Sequence, residues 1–186
     1  MEQKKIIVAI TGASGANYVL TLLKSLKEKK IEVHLIISNW GKKVFEQETN
    51  KKFSELKKLV AQIYSNKEMG AKISSSSFLS DGMIIIPASV KTCSEIANAH
   101  TSTLITRCAD IMLRYKKPLI IGLRETPISG PCLEQLTKIA QYGGIIFPLS
   151  PAFYYNPKKI SDLEDFISGK AMDLLGIKNN SYKRWD

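Results

Sequence analysis

The chain has 186 residues and a mass of 20.8 kDa, the size of one compact domain, and we expect a single domain over residues 1–186. Apolar residues make up 44% and charged residues 24%, which excludes a disordered or collagen-like chain. The net charge of +10 would fit a nucleic-acid-binding surface, but only four of the 27 basic residues are arginines. Because base-reading surfaces favour arginine and interleaved aromatic residues, we expect no nucleic-acid partner.

The apolar runs and the cysteines indicate the compartment. The longest runs, residues 6–10 and 83–87, are strand-sized and far below the roughly 18 residues of a membrane span. Residues 1–5 lead directly into the first run, without the longer apolar region of a signal peptide. The three cysteines form no CxxC pair, which argues against disulfides and a zinc site. We expect a cytoplasmic protein with no membrane span and no metal.

Short β-rich runs alternate with longer helical patterns along the chain. This alternation predicts an α/β fold, a Rossmann-like parallel sheet with helices on both faces. The predicted strands cover residues 5–10, 32–38, 83–86, 118–123 and 144–147. The predicted helices cover residues 16–29, 40–48, 54–64, 92–99, 102–113, 132–142 and 161–175.

Open parallel sheets bind ligands beyond the carboxyl ends of their strands, so the segments that follow the strands are candidates for a site. The first is a glycine turn over residues 11–16, which would present backbone N–H groups at a helix N-terminus to a phosphate or another electron-rich group. Its spacing matches neither GxGxxG nor GxxxxGK[ST], and a plain tight turn is the alternative. Ser89, Lys91 and Thr92 offer hydroxyls and a cation to a phosphate, or simply a helix N-cap.

Five other residues are of types that often act in functional sites. Arg124 and Glu125 are opposite charges at the predicted buried rim of a strand, where they need partners or a functional role, and a structural ion pair is the alternative. Glu48 is typical of a surface position. His34 and His100 show no ligand spacing, and we interpret both as structural.

The motifs together resemble the UbiX-type flavin prenyltransferase family. They follow the family in order over nearly the whole chain, down to Arg184-Trp185. The segments that carry the resemblance are TGASGA at 11–16, ET at 48–49, SSSF at 75–78, PASVKT at 87–92, RETP at 124–127 and PAFYYNP at 151–157.

The resemblance implies a flavodoxin-like, Rossmann-related fold and a homo-oligomer, typically a dodecamer built of trimers. It implies transfer of a dimethylallyl group from dimethylallyl phosphate to reduced FMN, which closes a fourth ring through N5 and C6 of the flavin. The product, prenylated FMN, is the cofactor of UbiD-type decarboxylases. The family needs no metal.

The resemblance also implies roles for individual residues. Ser14, Glu48 and Glu125 are the expected catalytic residues, with the two carboxylates transferring protons and Ser14 orienting or relaying a proton at N5. The residues expected at FMN are Gly12, Ala13, Ser14, Ser38, Ser89, Val90, Lys91, Thr92 and Arg124. The residues expected at the prenyl phosphate are Tyr154 and Lys170, with Arg107, Arg114 and Glu125 nearby and Trp185 as an apolar wall.

The sequence departs from the family pattern at three positions. Arg114 stands where lysine is usual, Lys170 where arginine is usual, and Ala88 where cysteine is frequent. A planar guanidinium and a point charge are different ligands for phosphate, so the choice between a monophosphate and a diphosphate donor stays open.

Two other functions were considered. One is an FMN-dependent cysteine decarboxylase, a related flavoprotein with a catalytic histidine in the helix after strand two; residues 40–49 contain no histidine. The other is a non-catalytic FMN-binding homologue or oligomeric scaffold, which the exchanges at Arg114 and Lys170 leave open.

Overall fold

The computed structural model describes residues 3–185, so the ends of the predicted domain, residues 1, 2 and 186, lie outside the described part. The centre is a six-stranded sheet in which every neighbouring pair is parallel. The strands are β1 Lys5–Ile10, β2 Glu32–Ile37, β3 Gln62–Ser65, β4 Gly82–Ala88, β5 Leu119–Leu123 and β6 Ile145–Pro148. The helices are α1 Ala16–Glu28, α2 Asn39–Thr49, α3 Val90–Ala97, α4 Leu104–Arg114, α5 Gly130–Gln141 and α6 Ile160–Leu174.

The strand order is β3-β2-β1-β4-β5-β6, the order of the Rossmann type. The five strands predicted from the sequence, taken without β3, follow one another in the flavodoxin order. The predicted α/β fold with a parallel sheet is therefore confirmed. The order reverses between β1 and β4, and this switch point opens a crevice at the carboxyl edge of the sheet.

The predicted helix over residues 54–64 is wrong. The segment forms a 3-10 helix, Phe53–Lys58, followed by the edge strand β3. β3 is four residues long and pairs with β2 from His34↔Gln62 to Ile37↔Ser65. So short a strand forms because β2 offers it a partner, and its own sequence is too brief to show the alternation that identifies a strand.

Each side of the sheet carries a separate apolar core. Ile6, Val8 and Ile10 of β1 pack towards α1, α2 and α6, whereas Ile7 and Ala9 pack towards α3, α4 and α5. Strands covered on both faces need apolar residues at every position, which explains the unbroken runs in the sequence. The second core also contains the three cysteines, all with free thiols. No helix within residues 3–185 has the length and apolar character to cross a membrane.

Candidate active site

The glycine turn after β1 lies against the start of α2. Gly15 has a φ of 117°, a left-handed conformation that favours glycine, and it begins α1. A Cβ on Gly12 would lie 2.7 Å from the Cβ of Trp40, so this position requires glycine for close packing. Trp40 itself is 67% exposed beside the turn.

Glu48, in the last turn of α2, binds the N-terminus of α1. The backbone N–H groups of Gly15 and Ala16 donate to its Oε2 at 2.9 and 2.7 Å. The glycine turn was predicted to present these N–H groups to a bound phosphate or another electron-rich group. In the structure they bind the Glu48 carboxylate of the same chain, whose negative charge complements the positive end of the helix dipole. Glu48 is half-buried, and the expectation of a plain surface position is wrong.

The environment keeps Glu48 ionised. Burial raises the pKa of Glu48, but hydrogen bonds from the Ser14 side chain and from the Ala16 and Gly15 backbone outweigh burial, and the Arg124 charge adds to them. The net result is a pKa below its usual value. At neutral pH the site therefore contains a carboxylate in contact with the Ser14 hydroxyl.

Thr11 joins two of the loops at the carboxyl edge. Its hydroxyl donates to the carbonyl oxygen of Pro87 at 2.7 Å and accepts the backbone N–H of Ser89 at 2.8 Å. Thr11 is buried, so this link fixes the loop after β4 beside the glycine turn. Thr11 was not among the predicted site residues, although a hydroxyl residue at the end of a buried strand was a usable signal.

Ser38 and Ser89 are helix N-caps. The Gly41 N–H donates to Ser38 Oγ at 2.9 Å, and the Thr92 N–H donates to Ser89 Oγ at 3.4 Å. For Ser89, the sequence left a phosphate ligand and a helix N-cap as alternatives, and the structure shows the N-cap. A hydroxyl keeps further hydrogen-bonding capacity, so capping leaves Ser38, Ser89 and Thr92 available to a ligand.

The cation expected from Lys91 is engaged elsewhere. Its Nζ donates to Glu95 Oε1 at 2.7 Å, one turn further along α3, and the lysine side chain is 78% exposed. The spacing of four residues favours this pair on any helix. Lys91 therefore contributes its backbone to the start of α3, and Val90 lies beside it, half-buried.

Arg124 lines a cavity of about 610 Å³ at the carboxyl edge. The cavity is also lined by Ser14, Tyr18, Glu48, Leu149 and, from the first turns of α6, Ile160, Leu163 and Glu164. Arg124 makes no salt bridge with a residue of the described chain. Its charge therefore shares the cavity with the carboxylates of Glu48 and Glu164 but forms no direct ion pair among residues 3–185.

The expectation of a buried rim at Arg124 and Glu125 is wrong, because both residues are exposed. β5 ends at Leu123, and the chain leaves the sheet at that point. The carboxylate of Glu125 accepts the Thr126 N–H at 3.1 Å and forms no ion pair with Arg124 in the described part of the chain.

Tyr154, Lys170 and Trp185 come together in an aromatic cluster outside this cavity. The ring centres of Tyr154 and Trp185 are 5.1 Å apart in an edge-to-face arrangement. The Nζ of Lys170 lies 5.7 Å from the ring centre of Phe166 and 5.1 Å from that of Tyr182. The structure therefore assembles the three residues expected at the prenyl phosphate, and it adds aromatic neighbours that hold the lysine cation.

Arg107 and Arg114 lie on the other face of the sheet. Both project from α4 towards Asp110, with Arg114 Nε 3.0 Å and Arg107 Nη1 3.8 Å from its Oδ2. α4 packs in the core layer with α3 and α5, whereas α6 packs with α1 on the opposite side. Within one chain, these arginines therefore lie away from Tyr154 and Lys170, and their expected place at the prenyl phosphate stays a prediction.

Comparison with known proteins identifies the family. A sequence model described as Flavoprotein matches residues 1–171. The flavin prenyltransferase UbiX of Saccharolobus solfataricus is 47% identical over 185 residues, which cover 98% of this chain and 92% of the relative. The chain belongs to the UbiX flavin prenyltransferase family.

Two solved UbiX-type structures match the fold closely. One is the crystal structure of AnUbiX (PadA1) in complex with FMN and dimethylallyl pyrophosphate, with a TM-score of 0.97, 35% identity and coverage of 100% of this chain and 98% of the other. The second is a dodecameric FMN-dependent UbiX-like decarboxylase from Escherichia coli O157:H7, with a TM-score of 0.95 and 34% identity. The match covers 98% of this chain and 99% of that one.

Tyr18, in the cavity, and Trp40, beside the glycine turn, are two aromatic residues that the sequence did not single out. Tyr18 lines the cavity, and burial, followed by the nearby Glu164, raises its pKa. Tyr18 lies in the first turn of α1, where the sequence shows only an ordinary helix residue, whereas a tryptophan three residues after the end of β2 was a usable signal for Trp40. Within residues 3–185, no group of three or more His, Cys, Asp or Glu side chains could hold a metal ion.

Proposed function

We propose that this protein transfers a dimethylallyl group from dimethylallyl phosphate to reduced FMN and releases prenylated FMN. The observation that carries the proposal is the cavity at the switch point, where Ser14, an ionised Glu48 and Arg124 meet, in a chain that resembles flavin prenyltransferases over its full length. Ligands of Rossmann-type sheets bind in this crevice.

The residues at the carboxyl edge fit FMN. Gly12, Ala13 and Ser14 carry small side chains, so a planar ring system can approach the turn closely. Arg124 offers a cation without a salt-bridge partner in the described chain, and Ser38, Ser89 and Thr92 offer hydroxyls. Reduced FMN, once bound, supplies an electron-rich acceptor for the prenyl group.

The aromatic cluster fits the prenyl donor. Loss of phosphate from an allylic carbon leaves positive charge on the prenyl fragment and extra negative charge on the phosphate. Lys170 would stabilise the departing phosphate, and the ring faces of Tyr154 and Trp185 would stabilise and shield the fragment from water. The point charge of Lys170 still leaves monophosphate and diphosphate as candidate donors.

Glu48 and Ser14 fit proton transfer. Glu48 is ionised and therefore accepts a proton, and the Ser14 hydroxyl, which lines the same cavity, would carry a proton between this carboxylate and a flavin atom. Glu125 is exposed within one chain and would act as a second proton-transfer group only where another component covers it.

The distribution of the phosphate-binding residues points to a shared site in a homo-oligomer. Arg107 and Arg114 lie on the opposite face of the sheet from Lys170, so a second copy of the chain is needed to bring all three to one phosphate. The dodecameric state of the E. coli UbiX-like protein supports a dodecamer for this chain as well.

Three further properties belong to this proposal. The reaction would proceed without a metal, because lysine and arginine supply the positive charge that a metal otherwise gives to a leaving phosphate. The product would be delivered to a UbiD-type decarboxylase. The protein would act in the cytoplasm, where its three buried free thiols stay reduced.

The test is anaerobic incubation of the purified protein with reduced FMN and either dimethylallyl monophosphate or dimethylallyl diphosphate. Mass spectrometry of the extracted flavin is expected to show the addition of one dimethylallyl unit with at least one donor. Oxidised FMN, which lacks the electron-rich ring, is the matched control and is expected to stay unmodified. FMN that remains bound but unmodified with both donors would contradict the proposal and favour a non-catalytic flavin-binding homologue.

A further inference from the structure

One carboxylate fixes the end of the described chain. Residues 178–185 form neither helix nor strand and make no backbone–backbone hydrogen bond within the described chain, so side-chain contacts determine their position. Asp173, in the last turn of α6, accepts four hydrogen bonds. The donors to Oδ1 are Asn179 Nδ2 at 2.9 Å and Arg184 Nη2 at 2.8 Å, and the donors to Oδ2 are the Tyr182 hydroxyl at 2.6 Å and Arg184 Nη1 at 3.0 Å.

We call Asp173 and residues 182–185 the C-terminal clasp. The clasp packs tightly on α6, since a Cβ on Gly169 would lie 2.4 Å from Cδ1 of Tyr182. Burial and the contact with Asp173 raise the pKa of the Tyr182 phenol to about 12, so this group remains a hydrogen-bond donor at neutral pH.

The clasp contacts the aromatic cluster at two points, Lys170 and Tyr154. The ring of Tyr182 lies beneath the Lys170 ammonium, and Trp185, next to Arg184 in the chain, packs edge-to-face on Tyr154. A cavity of about 200 Å³ lies between these elements, lined by Tyr154, Tyr155 and residues 183–185. Trp185 is 76% exposed, so its contact with Tyr154 alone would hold it weakly.

We propose that Asp173 is a positioning residue for the prenyl donor: through Tyr182 and Arg184 it sets Lys170 and Trp185 around the donor before the donor binds. This inference rests on the proposed function. A bidentate arginine–carboxylate pair fixes orientation as well as distance, and it orders a segment that has no backbone pairing of its own. When Lys170 and Trp185 are already ordered, less conformational entropy is lost as the donor binds. Because the clasp orders the free protein and its loss leaves the charge of Lys170 in place for the departing phosphate, replacing Asp173 acts on the KM for the donor more than on kcat.

The first experiment measures the order of Trp185 directly. In a Trp40→Phe background, Trp185 is the remaining tryptophan, and its fluorescence anisotropy reports on the tail without any turnover. Asp173→Asn places an amide N–H against the donors of Arg184 and is expected to lower the anisotropy. Arg184→Gln breaks the Arg184–Asp173 pair by changing its exposed partner and is also expected to lower the anisotropy. Because Arg184 lies outside α6, a folding defect in that helix cannot account for both results. Unchanged anisotropy in both variants would overturn the clasp.

The second experiment uses proteins that retain Trp40 and measures the kinetics with both dimethylallyl phosphates. Asp173→Asn is expected to raise the KM of the donor that the wild type uses by about tenfold and to change kcat less than about threefold. Asp165→Asn is the matched control, because Asp165 lies on the same helix and accepts no side-chain hydrogen bond from the described residues. A KM no higher than that of the control would overturn the positioning role.

The two measurements separate this inference from the proposed function. A wild-type protein that makes no prenylated flavin would contradict the proposed function and the donor-binding role of the clasp together. The loss of anisotropy in Asp173→Asn would then still support the ordering of the tail by Asp173. Product from the wild type, with no difference between Asp173→Asn and Asp165→Asn in either measurement, would overturn the inference alone.

Discussion

Glu48 shows how the function of a residue depends on a partner distant in sequence. Its position near the end of a helix predicts a surface carboxylate. In the fold, the Oε2 atom lies on the N–H groups of Gly15 and Ala16, 33 and 32 residues away. The lowered pKa follows from these contacts and from Ser14, and it makes Glu48 a proton acceptor rather than a proton donor at neutral pH.

Replacing this carboxylate is expected to remove chemistry and keep flavin binding. Glu48→Gln retains an oxygen for the Gly15 and Ala16 N–H groups but cannot accept a proton. We expect the rate of flavin prenylation to fall by about 10²–10⁴-fold, with FMN affinity within about threefold of wild type. The measurements are product formation by mass spectrometry and a flavin fluorescence titration. Glu46→Gln on the same helix is the control, and equal losses in both variants would contradict the role of Glu48.

Gly12 is a predicted flavin-binding residue at which the structure leaves no room for a methyl group. In Gly12→Ala, the new Cβ would lie 2.7 Å from the Cβ of Trp40, so the turn or α2 must shift. We expect FMN affinity to fall by about tenfold and the free energy of unfolding by about 1–3 kcal/mol. Equilibrium titration and denaturant unfolding measure the two effects. Gly70→Ala, which has no heavy atom within 4 Å of its new Cβ, is expected to change neither.

At the scale of the elements, β3 completes a buried polar cluster that the sequence could not indicate. His34 on β2 is 1% exposed; its Nδ1 lies 3.1 Å from the Tyr64 hydroxyl on β3, and its Nε2 lies 2.8 Å from Glu32 Oε1. Phe78 packs edge-on against the imidazole. Burial lowers the pKa of His34 more than the Glu32 contact raises it, with Lys72 and Lys5 adding to the lowering.

This lowered pKa predicts how stability changes with pH. The unfolded chain binds a proton at His34 more readily than the folded chain, so the contribution is present above about pH 6.5 and is lost as pH falls through the lower folded-state pKa. We expect the free energy of unfolding to decrease between pH 7.5 and pH 5.5, and the decrease to be smaller in His34→Gln. Denaturant unfolding at each pH measures it. His100→Gln, which leaves the buried cluster intact, is the control, and an identical pH dependence in the wild type and His34→Gln would contradict the prediction.

Most elements were predictable because their signals are local. Five of the six strands contain apolar runs bounded by turn residues, and the helices show apolar positions at spacings of three to four. Ser89 was a predicted capping candidate because a capping hydroxyl acts within three residues. β3 was not predicted because its four residues form a strand only where β2 pairs with them. The periodicity that predicted a helix over residues 54–64 belongs to the 3-10 helix, Phe53–Lys58.

At the scale of the whole molecule, the residues that we expect to serve one reaction are divided among three places. Ser14, Glu48 and Arg124 line the cavity at the switch point; Tyr154, Lys170 and Trp185 form the aromatic cluster; Arg107 and Arg114 lie on α4. α4 and α6 cover opposite faces of the sheet. A site that uses residues from both faces requires more than one copy of the chain.

Subunit complementation tests this division. Glu48→Gln and Arg114→Gln are each expected to lose most activity as pure proteins. Coexpressed in equal amounts, they are expected to regain about a quarter of wild-type activity per site, because random assembly leaves that share of shared sites with both residues intact. Product formation by the mixed oligomer is the measurement.

The matched control pairs two defects in one cavity. Glu48→Gln mixed with Arg124→Gln is expected to show no recovery, since both residues line the same cavity of one protomer. Failure of Glu48→Gln with Arg114→Gln to recover activity in an oligomer of confirmed mixed composition would contradict the shared site.

The sequence by itself determined the alternation of strands and helices, the glycine turn and the loops in which a ligand site had to be sought. Those features depend on residues close together in the chain, and a local pattern of apolar, small and capping residues specifies them. The tertiary structure alone decided that Glu48 binds the start of α1, that Lys91 is engaged by Glu95 at the surface, and that the arginines of α4 lie across the sheet from Lys170. It also decided that Asp173 gathers the C-terminal tail. These outcomes depend on which distant segments pack together and on which of several charged partners a side chain can reach. Residue composition and spacing along the chain do not contain that information.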